Sequence, residues 1–243
     1  MNNKKKKKEH TKEIQIKQKP IFSPELEKHR NFILTFICIV AIELFISPVY
    51  PHLRLLTKGA IVSSLLIYYI LKVPPQNKLY ILALIAALAG DLFLAIQKGN
   101  FFILGLSSFL VMQILYILIF KRGYSKPTGN KFWASIGIAV FYLGFAILSW
   151  SSLGDLQIPV LIYAFALLSM LYFAMNVRTG QFFNYFGWGA LLFVISDLLL
   201  AINKFVSQLP YEHFLVMVTY SIAQLMICLG LILSYERSLK SSK

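Results

Sequence analysis

Eight long apolar runs constrain the fold of this chain more than any other feature of its sequence. Each run holds about 17 to 23 mainly apolar residues, close to the number that an α-helix needs to cross roughly 30 Å of hydrocarbon. Lipid offers no hydrogen bonds to an open backbone, so these runs should be helical. We therefore predict an all-α fold, a polytopic transmembrane helix bundle. The eight predicted spans are residues 32–49, 55–71, 79–97, 101–120, 132–150, 157–176, 185–202 and 213–235.

The composition excludes an ordinary soluble domain. Of the 243 residues, 58% are hydrophobic and 14% are charged, whereas soluble domains are about 45–50% apolar and about 25% charged. We predict three parts: a disordered basic cytoplasmic tail at residues 1–30, an eight-helix transmembrane domain at residues 31–236, and a short cytoplasmic tail at residues 237–243.

The first 30 residues hold ten of the 24 lysines and arginines. They contain too little apolar surface to fold, so we expect this tail to lie on anionic lipid headgroups rather than to bind nucleic acid. The first apolar run is long enough to span a membrane, and no A-x-A-like cleavage site follows it. A cleavable signal peptide is therefore not expected.

Lysine and arginine also predict the orientation. With a cytoplasmic N-terminus, the inside segments carry 20 basic residues and the outside loops carry three, Arg54, Lys98 and Lys204. Because short cytoplasmic loops are enriched in basic residues, we expect both termini in the cytoplasm. The expected location is a bacterial cell (inner) membrane.

Four charged side chains fall inside the predicted spans: Glu43, Lys58, Asp91 and Asp197. A charge at the centre of a helix in lipid costs about 2.5–3.5 kcal/mol on insertion scales, so each should face the bundle interior or a wet cavity. At about 1.5 Å per residue, both aspartates lie roughly 18 Å from the cytoplasmic starts of their spans. We expect them at one level, in the outer half of the membrane.

The two aspartates belong to an internal repeat. The stretches GDLFLAIQK, residues 90–98, and SDLLLAINK, residues 196–204, agree at six of the eight positions from aspartate to lysine. Four spans separate the copies, so both run in one direction, which predicts a parallel duplication of spans 3–4 and 7–8. The repeat extends to Gln113 and Gln224 in the following spans.

Polar side chains near the aspartates complete the candidate site. The glutamines either hold helices together through interhelical hydrogen bonds or contact a substrate, and Glu43 is either a second acid or the partner of Lys58. The paired aspartates favour chemistry, because amides would bond helices at lower cost. The candidate catalytic residues are Asp91 and Asp197. The candidate substrate-binding residues are Lys58, Glu43, Gln113, Tyr116, Tyr220, Gln224 and Asn203.

Two carboxyl groups and a lysine in a low-dielectric pocket should differ in protonation. Burial favours the protonated form of one carboxyl, whereas the lysine favours the ionised form of another. Such a pair supplies general acid catalysis together with a carboxylate that stabilises a developing cation. The sequence leaves open which aspartate has which role. A substrate that reaches this pocket from within the bilayer would be a lipid.

The sequence offers few residues for metal-dependent, thiol, serine-nucleophile or nucleotide chemistry. Cys38 and Cys228 both fall mid-span, where a buried thiol is the expected state, and the four histidines are scattered through tail and loops. The sequence contains no H-E-x-x-H, C-x-x-C, G-x-S-x-G or P-loop pattern. We therefore expect neither a metal ion nor a cofactor.

Five segments, taken in order, carry a family resemblance: TKGAIVSSLL, GDLFLA, FFILGLSSFLVMQILYILIF, GALLFVISDLLLA and YSIAQLMICLG. They resemble the YhhN-like family of eight-span membrane proteins, whose animal members are lysoplasmalogenases, over roughly residues 32–235. The resemblance implies hydrolysis of the vinyl ether bond of a lysoplasmalogen to a fatty aldehyde and a glycerophospho-headgroup. It also implies that Asp91 and Asp197 are the catalytic aspartates and that Lys58 is the motif lysine.

Two positions depart from the family pattern. This chain has Gly59 where the family usually has proline, and Gln113 where the family often has histidine. The resemblance therefore does not carry over a histidine proton relay, and it leaves the substrate preference open. Two rival hypotheses follow from the residues alone. One is a proton-coupled lipid transporter or flippase, because intramembrane carboxylates also mark proton pathways, and the other is a non-catalytic scaffold.

Overall fold

The computed structural model describes residues 24–96, 100–149, 153–178 and 183–241. The chain divides into two compact units, Met1–Ile37 and Cys38–Lys243. In the first unit, Pro24–Glu27 forms a single helical turn, and Arg30 forms an ion pair with Glu27. Residues 1–23, which make up most of the predicted basic tail, lie outside the described residues.

Eight long helices contain most of the described residues. They are α1 (Arg30–Ile46), α2 (Arg54–Lys72), α3 (Lys78–Ala95), α4 (Phe101–Lys121), α5 (Asn130–Ser149), α6 (Gln157–Met175), α7 (Phe183–Phe205) and α8 (Glu212–Ser241). One turn of 3₁₀-helix precedes α2 and another precedes α6. No β-strand occurs in the described ranges, where a single isolated bridge joins Tyr124 to Val177. The all-α prediction is confirmed for this part of the chain.

Six of these helices are long and apolar enough to cross a membrane. They are α2 with its preceding turn, α3, α4, α6, α7 and α8. Large apolar side chains point outward, among them Phe45, Leu71 and Ile147, which are 71%, 73% and 75% exposed. Such a surface is stable in lipid but would aggregate in water. The chain is therefore an integral membrane protein.

The ends of the helices agree with the local sequence. Helix α2 stops before Pro74 and Pro75, because proline disfavours a helical residue before it and lacks the backbone donor. Helix α3 starts after Asn77, whose side-chain oxygen accepts a hydrogen bond of 3.1 Å from the backbone N–H of Leu79. Helix α8 continues to Ser241, into the predicted C-terminal tail at residues 237–243.

Hydrogen bonds between loops hold one end of the second unit together. The backbone N–H of Ser125 donates to the carbonyl of Asn176 at 2.9 Å, and that of Arg178 donates to the carbonyl of Gly123 at 2.7 Å. The hydroxyl of Tyr235, near the end of α8, donates to the carbonyl of Pro74. These bonds link the loop after α4 to the loop after α6, and the loop after α2 to α8.

Glycines allow two pairs of neighbouring helices, α3–α4 and α7–α8, to pack closely. A Cβ atom at Gly90 of α3 would lie 2.8 Å from the ring of Phe109 on α4. At Gly189 of α7, a Cβ would lie 2.9 Å from Ile227 Cγ1 and 3.1 Å from the Ala223 carbonyl oxygen of α8. Helices in lipid associate mainly through such close packing of small residues. The pairs α3–α4 and α7–α8 therefore tolerate little added volume.

We expect Gly189→Ala to destabilise the protein, because the added methyl group meets the backbone of α8, which cannot move without separating the two helices. Overpacking of this kind costs about 1–3 kcal/mol. The matched control is Gly137→Ala in α5, where a Cβ meets nothing within 4 Å. Thermal unfolding in detergent should show a lower midpoint for Gly189→Ala only. Equal midpoints for the two variants would show that the α7–α8 contact is not tight.

Candidate active site

The two repeat aspartates line one cavity. Asp91 of α3 and Asp197 of α7 both face it, together with Lys58 of α2. Its empty volume is about 1010 Å³, including its opening, and most of the wall is apolar, with phenylalanine, leucine and valine side chains from α3 to α8. The sequence predicted the two aspartates at one depth, and the structure brings them to the same space.

Asp91 is held as one half of a buried ion pair. Its Oδ1 lies 3.7 Å from the Nζ of Lys58, and its Oδ2 accepts a hydrogen bond of 2.7 Å from the hydroxyl of Tyr220 on α8. Asp91 is 1% exposed and Lys58 is 6% exposed. Because a lone charge at this depth would be costly, the cation and the carboxylate each depend on the other. This arrangement favours the ionised carboxylate.

Asp197 has a different environment. Its Oδ2 accepts a hydrogen bond of 2.5 Å from the hydroxyl of Tyr163 on α6. Within the described ranges, no basic side chain lies within ion-pair distance of Asp197. An apolar wall without a nearby cation favours the protonated carboxyl. The two aspartates of the repeat therefore have different electrostatic surroundings, because Asp91 lies beside a cation and Asp197 lies beside a neutral hydroxyl.

Aromatic rings position the hydroxyl that contacts Asp91. The rings of Phe109, Phe193 and Tyr220 meet edge to face, with centroids 5.6 to 6.2 Å apart. Phe109 is also the ring that packs against Gly90, one residue before Asp91. These contacts hold the Tyr220 ring against Phe109 of α4 and Phe193 of α7. The Tyr220 hydroxyl is thereby kept within hydrogen-bond distance of the Asp91 carboxylate.

Three other candidate residues do not line this cavity. The hydroxyl of Tyr116 donates to Gln224 Oε1 at 2.7 Å, and Gln224 Nε2 lies 3.3 Å from the sulfur of Met112. Gln113 is fully buried, with its side chain beside Tyr163. The Tyr116–Gln224 bond joins α4 to α8, which corresponds to the interhelical alternative. A role of Gln113, Tyr116 or Gln224 in substrate binding stays a prediction.

Glu43 has Thr57 and His213 as its near neighbours. Its carboxylate accepts a hydrogen bond from Thr57, and its Oε1 lies 3.7 Å from the Nε2 of His213 at the start of α8. The ion pair of Lys58 within the described residues is with Asp91 instead. Glu43, for which the sequence left open a role as second acid or as partner of Lys58, lies beside Thr57 and His213, because α8 brings His213 to Glu43 and α3 brings Asp91 to Lys58.

A polar cavity adjoins the apolar one, and we call it the vestibule. Its polar lining consists of Arg54, Lys58, Asn203, Lys204, Glu212 and His213. The residues that line both cavities are Lys58, Leu94, Phe102, Leu200, Val216 and Met217. The side chain of Asn203 accepts a hydrogen bond of 2.9 Å from the backbone N–H of Leu209. Asn203, a candidate substrate-binding residue, therefore lies in the vestibule, whereas Tyr220 lines the aspartate cavity.

Tyr163 is the residue of the site that the sequence analysis missed. It carries the only hydroxyl between residues 158 and 168, in the middle of an apolar run. Tyrosine is common in membrane helices and costs little there, so this signal is weak compared with a carboxylate. Its contact with Asp197 depends on how α6 packs against α7.

The fold and the site define a class of protein: an α-helical integral membrane protein whose helices enclose a carboxylate pair in a largely apolar cavity. The YhhN family model matches residues 28–231. The chain belongs to the YhhN family, as the resemblance of the five segments predicted.

Curated relatives carry one enzymatic name. Lysoplasmalogenase TMEM86A of Bos taurus is 27% identical over 189 residues, which are 69% of this chain and 70% of the relative. Lysoplasmalogenase TMEM86B of Sus scrofa is 34% identical over 148 residues, 61% of each chain. A lysoplasmalogenase of Mycobacterium bovis is 29% identical over 161 residues, 63% of this chain and 60% of the relative. No solved structure shows significant similarity.

The Lys58–Asp91 pair should show a strong energetic coupling. Lys58→Met and Asp91→Asn should each lower the thermal midpoint in detergent, because each leaves a buried group without its partner. The double variant should lose less than the sum of the two, with a coupling of about 1–3 kcal/mol. The matched cycle is Lys58→Met with Asp197→Asn, because these two residues form no ion pair with each other among the described contacts. Equal coupling in both cycles would show that the pair does not form.

Proposed function

We propose that this protein is an integral-membrane lysoplasmalogenase, which hydrolyses the vinyl ether bond of a lysoplasmalogen to a fatty aldehyde and a glycerophospho-headgroup. One observation carries the proposal: two aspartates share an apolar cavity, but among the described residues only Asp91 has a cation as partner. The names of the curated relatives support the same reaction. They lend no support to the alternative of a proton-coupled lipid transporter.

The different partners assign roles to the two aspartates. Asp197 is the general acid, because its surroundings favour a carboxyl that still holds its proton. Tyr163 occupies Oδ2 of Asp197, so Oδ1 is the oxygen left to present that proton. Asp91 is the carboxylate, because Lys58 and Tyr220 both stabilise its negative charge. A protonated acid and an ionised carboxylate on one cavity form the pairing that cation-forming hydrolysis requires.

The reaction proceeds through a cation that both residues surround. Asp197 transfers its proton to the vinyl carbon farther from the ether oxygen, and the adjacent carbon and oxygen become an oxocarbenium ion. Asp91 stabilises this cation electrostatically in a site that excludes most water. Water then adds to the cationic carbon and returns a proton to Asp197. The resulting hemiacetal collapses to the aldehyde and the alcohol of the glycerophospho-headgroup, so the enzyme regains its starting state.

The apolar wall suits the hydrocarbon part of such a substrate. Side chains of α4, α5 and α6, including Phe102, Phe141, Phe145 and Leu167, line the same cavity as the carboxyl groups. Burial of each CH₂ group is worth about 0.8 kcal/mol, so a long alkenyl chain contributes much of the binding. The chain then places its first double bond beside the two aspartates.

Asp91→Asn and Asp197→Asn should each abolish most aldehyde release, because an amide keeps the shape of the side chain but neither donates this proton nor carries charge. The double variant should be scarcely worse than either single variant, since residues that act as one unit are far from additive. The assay measures aldehyde from lysoplasmalogen in liposomes. The control is Ser64→Ala, because the hydrogen bond of Ser64 among the described residues goes to the Ile61 carbonyl of its own helix. Near-normal release by either well-folded Asp→Asn variant would refute the mechanism.

The pH profile separates the two roles in the same assay. The wild-type rate should fall at high pH, where Asp197 loses its proton, and at low pH, where Asp91 gains one. The residual rate of Asp91→Asn should keep the fall at high pH and lose the fall at low pH. That of Asp197→Asn should show the reverse. Exchanged profiles would reverse the assignment of acid and carboxylate.

We also propose that all eight long helices cross the membrane, with both termini in the cytoplasm of a bacterial cell. Helix α5 has 20 residues and only one charge, Lys131, and α1 has 17 residues. The bonded loops all belong to the side that is rich in lysine and arginine. The ends of α3 and α7 line one vestibule, which supports a parallel repeat. The basic tail would then meet anionic lipid headgroups.

Cysteine labelling tests this topology. In a variant lacking Cys38 and Cys228, Val206→Cys should react with an impermeant thiol reagent on intact cells, because Val206 is 75% exposed just after α7 on the outer side. Thr128→Cys, exposed in the loop after α4, is the matched inner position and should react only after lysis. The opposite pattern would invert the orientation.

A further inference from the structure

The vestibule combines charges of both signs around one opening. Among the described residues, Lys58 forms an ion pair with Asp91 and Arg30 forms one with Glu27, and the Nε2 of His213 lies 3.7 Å from Oε1 of Glu43. The remaining charged groups of the vestibule, Arg54, Lys204 and Glu212, therefore have no ion-pair partner within the described ranges. Unpaired charges that converge on one cavity are available to a ligand.

The two unpaired cations are placed for an anion. Arg54 opens helix α2, and its Nε is buried without a hydrogen-bond partner among the described residues. Lys204 lies near the end of α7, with its Nζ 5.1 Å from the centroid of the Phe102 ring. Phe102 lines both cavities, so Lys204 stands where the apolar cavity passes into the vestibule. Guanidinium and ammonium groups bind phosphate through short charge-assisted hydrogen bonds.

Glu212 adds a charge of the opposite sign. It is the first residue of α8, it is partly exposed, and it lines the vestibule with Arg54 and Lys204. A site built for a simple anion would gain nothing from a carboxylate at this place, because like charges repel. A site for a zwitterion needs a carboxylate, because the headgroup carries a cationic group next to its phosphate.

We propose that the vestibule is a headgroup site for a zwitterionic phospholipid, in which Arg54 and Lys204 bind the phosphate and Glu212 binds the terminal ammonium group. The inference rests on the proposed function, since it names the part of the substrate that lies beside the aspartate cavity. Lys58 stays with Asp91, so the phosphate is left to the two unpaired cations. The site therefore selects ethanolamine-type or choline-type headgroups over a bare phosphate.

Three substrates with the same alkenyl chain test the assignment. They are alkenyl-glycerophosphoethanolamine, alkenyl-glycerophosphate, which lacks the ammonium group, and alkenyl-glycerol, which lacks the phosphate. Glu212→Gln should lower kcat/KM about tenfold for the first substrate, mainly through KM, and leave alkenyl-glycerol unchanged. It should not weaken alkenyl-glycerophosphate, whose charge the carboxylate repels. Arg54→Met and Lys204→Met should raise KM about tenfold for the two phosphate substrates and leave alkenyl-glycerol unchanged. These factors correspond to the loss of one charge-assisted contact.

Matched controls lie at the other end of the helices. Glu236→Gln on α8 and Arg122→Met after α4 remove the same charges far from the vestibule. They should leave all three substrates unchanged. A uniform loss for all three substrates in the vestibule variants, or no loss in any of them, would overturn the proposal.

A binding measurement keeps the headgroup site separate from the hydrolase. Alkyl ether analogues of the three substrates lack the vinyl group, so the protein cannot hydrolyse them. Their affinity for the purified protein should fall in the order ethanolamine, phosphate, glycerol and respond to the same variants. If the substrates release no aldehyde but the analogues keep this order, the headgroup site stands and the proposed hydrolysis fails. If aldehyde is released but the analogues bind equally well, only the headgroup site fails.

Discussion

The ion pair of Lys58 and Asp91 is the interaction on which the site depends. Neither charge is tolerable alone at this depth, and the attraction between them offsets desolvation only when the geometry is good and further hydrogen bonds satisfy the carboxylate. Tyr220 supplies such a bond. The pair therefore requires α2, α3 and α8 to meet at one point, and the cavity forms where these helices face α6 and α7.

The two copies of the duplicated motif differ in the residues that contact their aspartates. Each aspartate helix follows a helix that supplies a polar partner: α2 brings Lys58 to Asp91, and α6 brings Tyr163 to Asp197. The partners differ in charge, so two nearly identical stretches of chain favour different protonation states. A second lysine in place of Tyr163 would favour two ionised carboxylates and leave no acid.

The local sequence predicted the helices well and their contacts poorly. The span predicted at residues 101–120 is the helix Phe101–Lys121, because an apolar run marks its own ends. Helix α8 extends beyond its predicted span. The end of an apolar run marks the edge of the lipid, whereas the backbone hydrogen bonds of the helix continue past it. Asp91 and Asp197 stood out because a carboxylate in an apolar run is costly. Tyr163 carries no such cost, and the partner of Glu43 proved to be His213, far along the chain.

The sequence by itself determined that this chain enters a membrane and which segments become its long helices, and it singled out the charged residues within them. Hydrophobicity, helix rise and the cost of a buried charge are properties of each segment, so they are readable from it. Only the tertiary structure decided which aspartate faces the lysine, which tyrosine contacts the other one, and that Arg54, Lys204 and Glu212 share an opening. Those facts depend on distances of a few ångströms between side chains of different helices, and helix packing alone decides such distances.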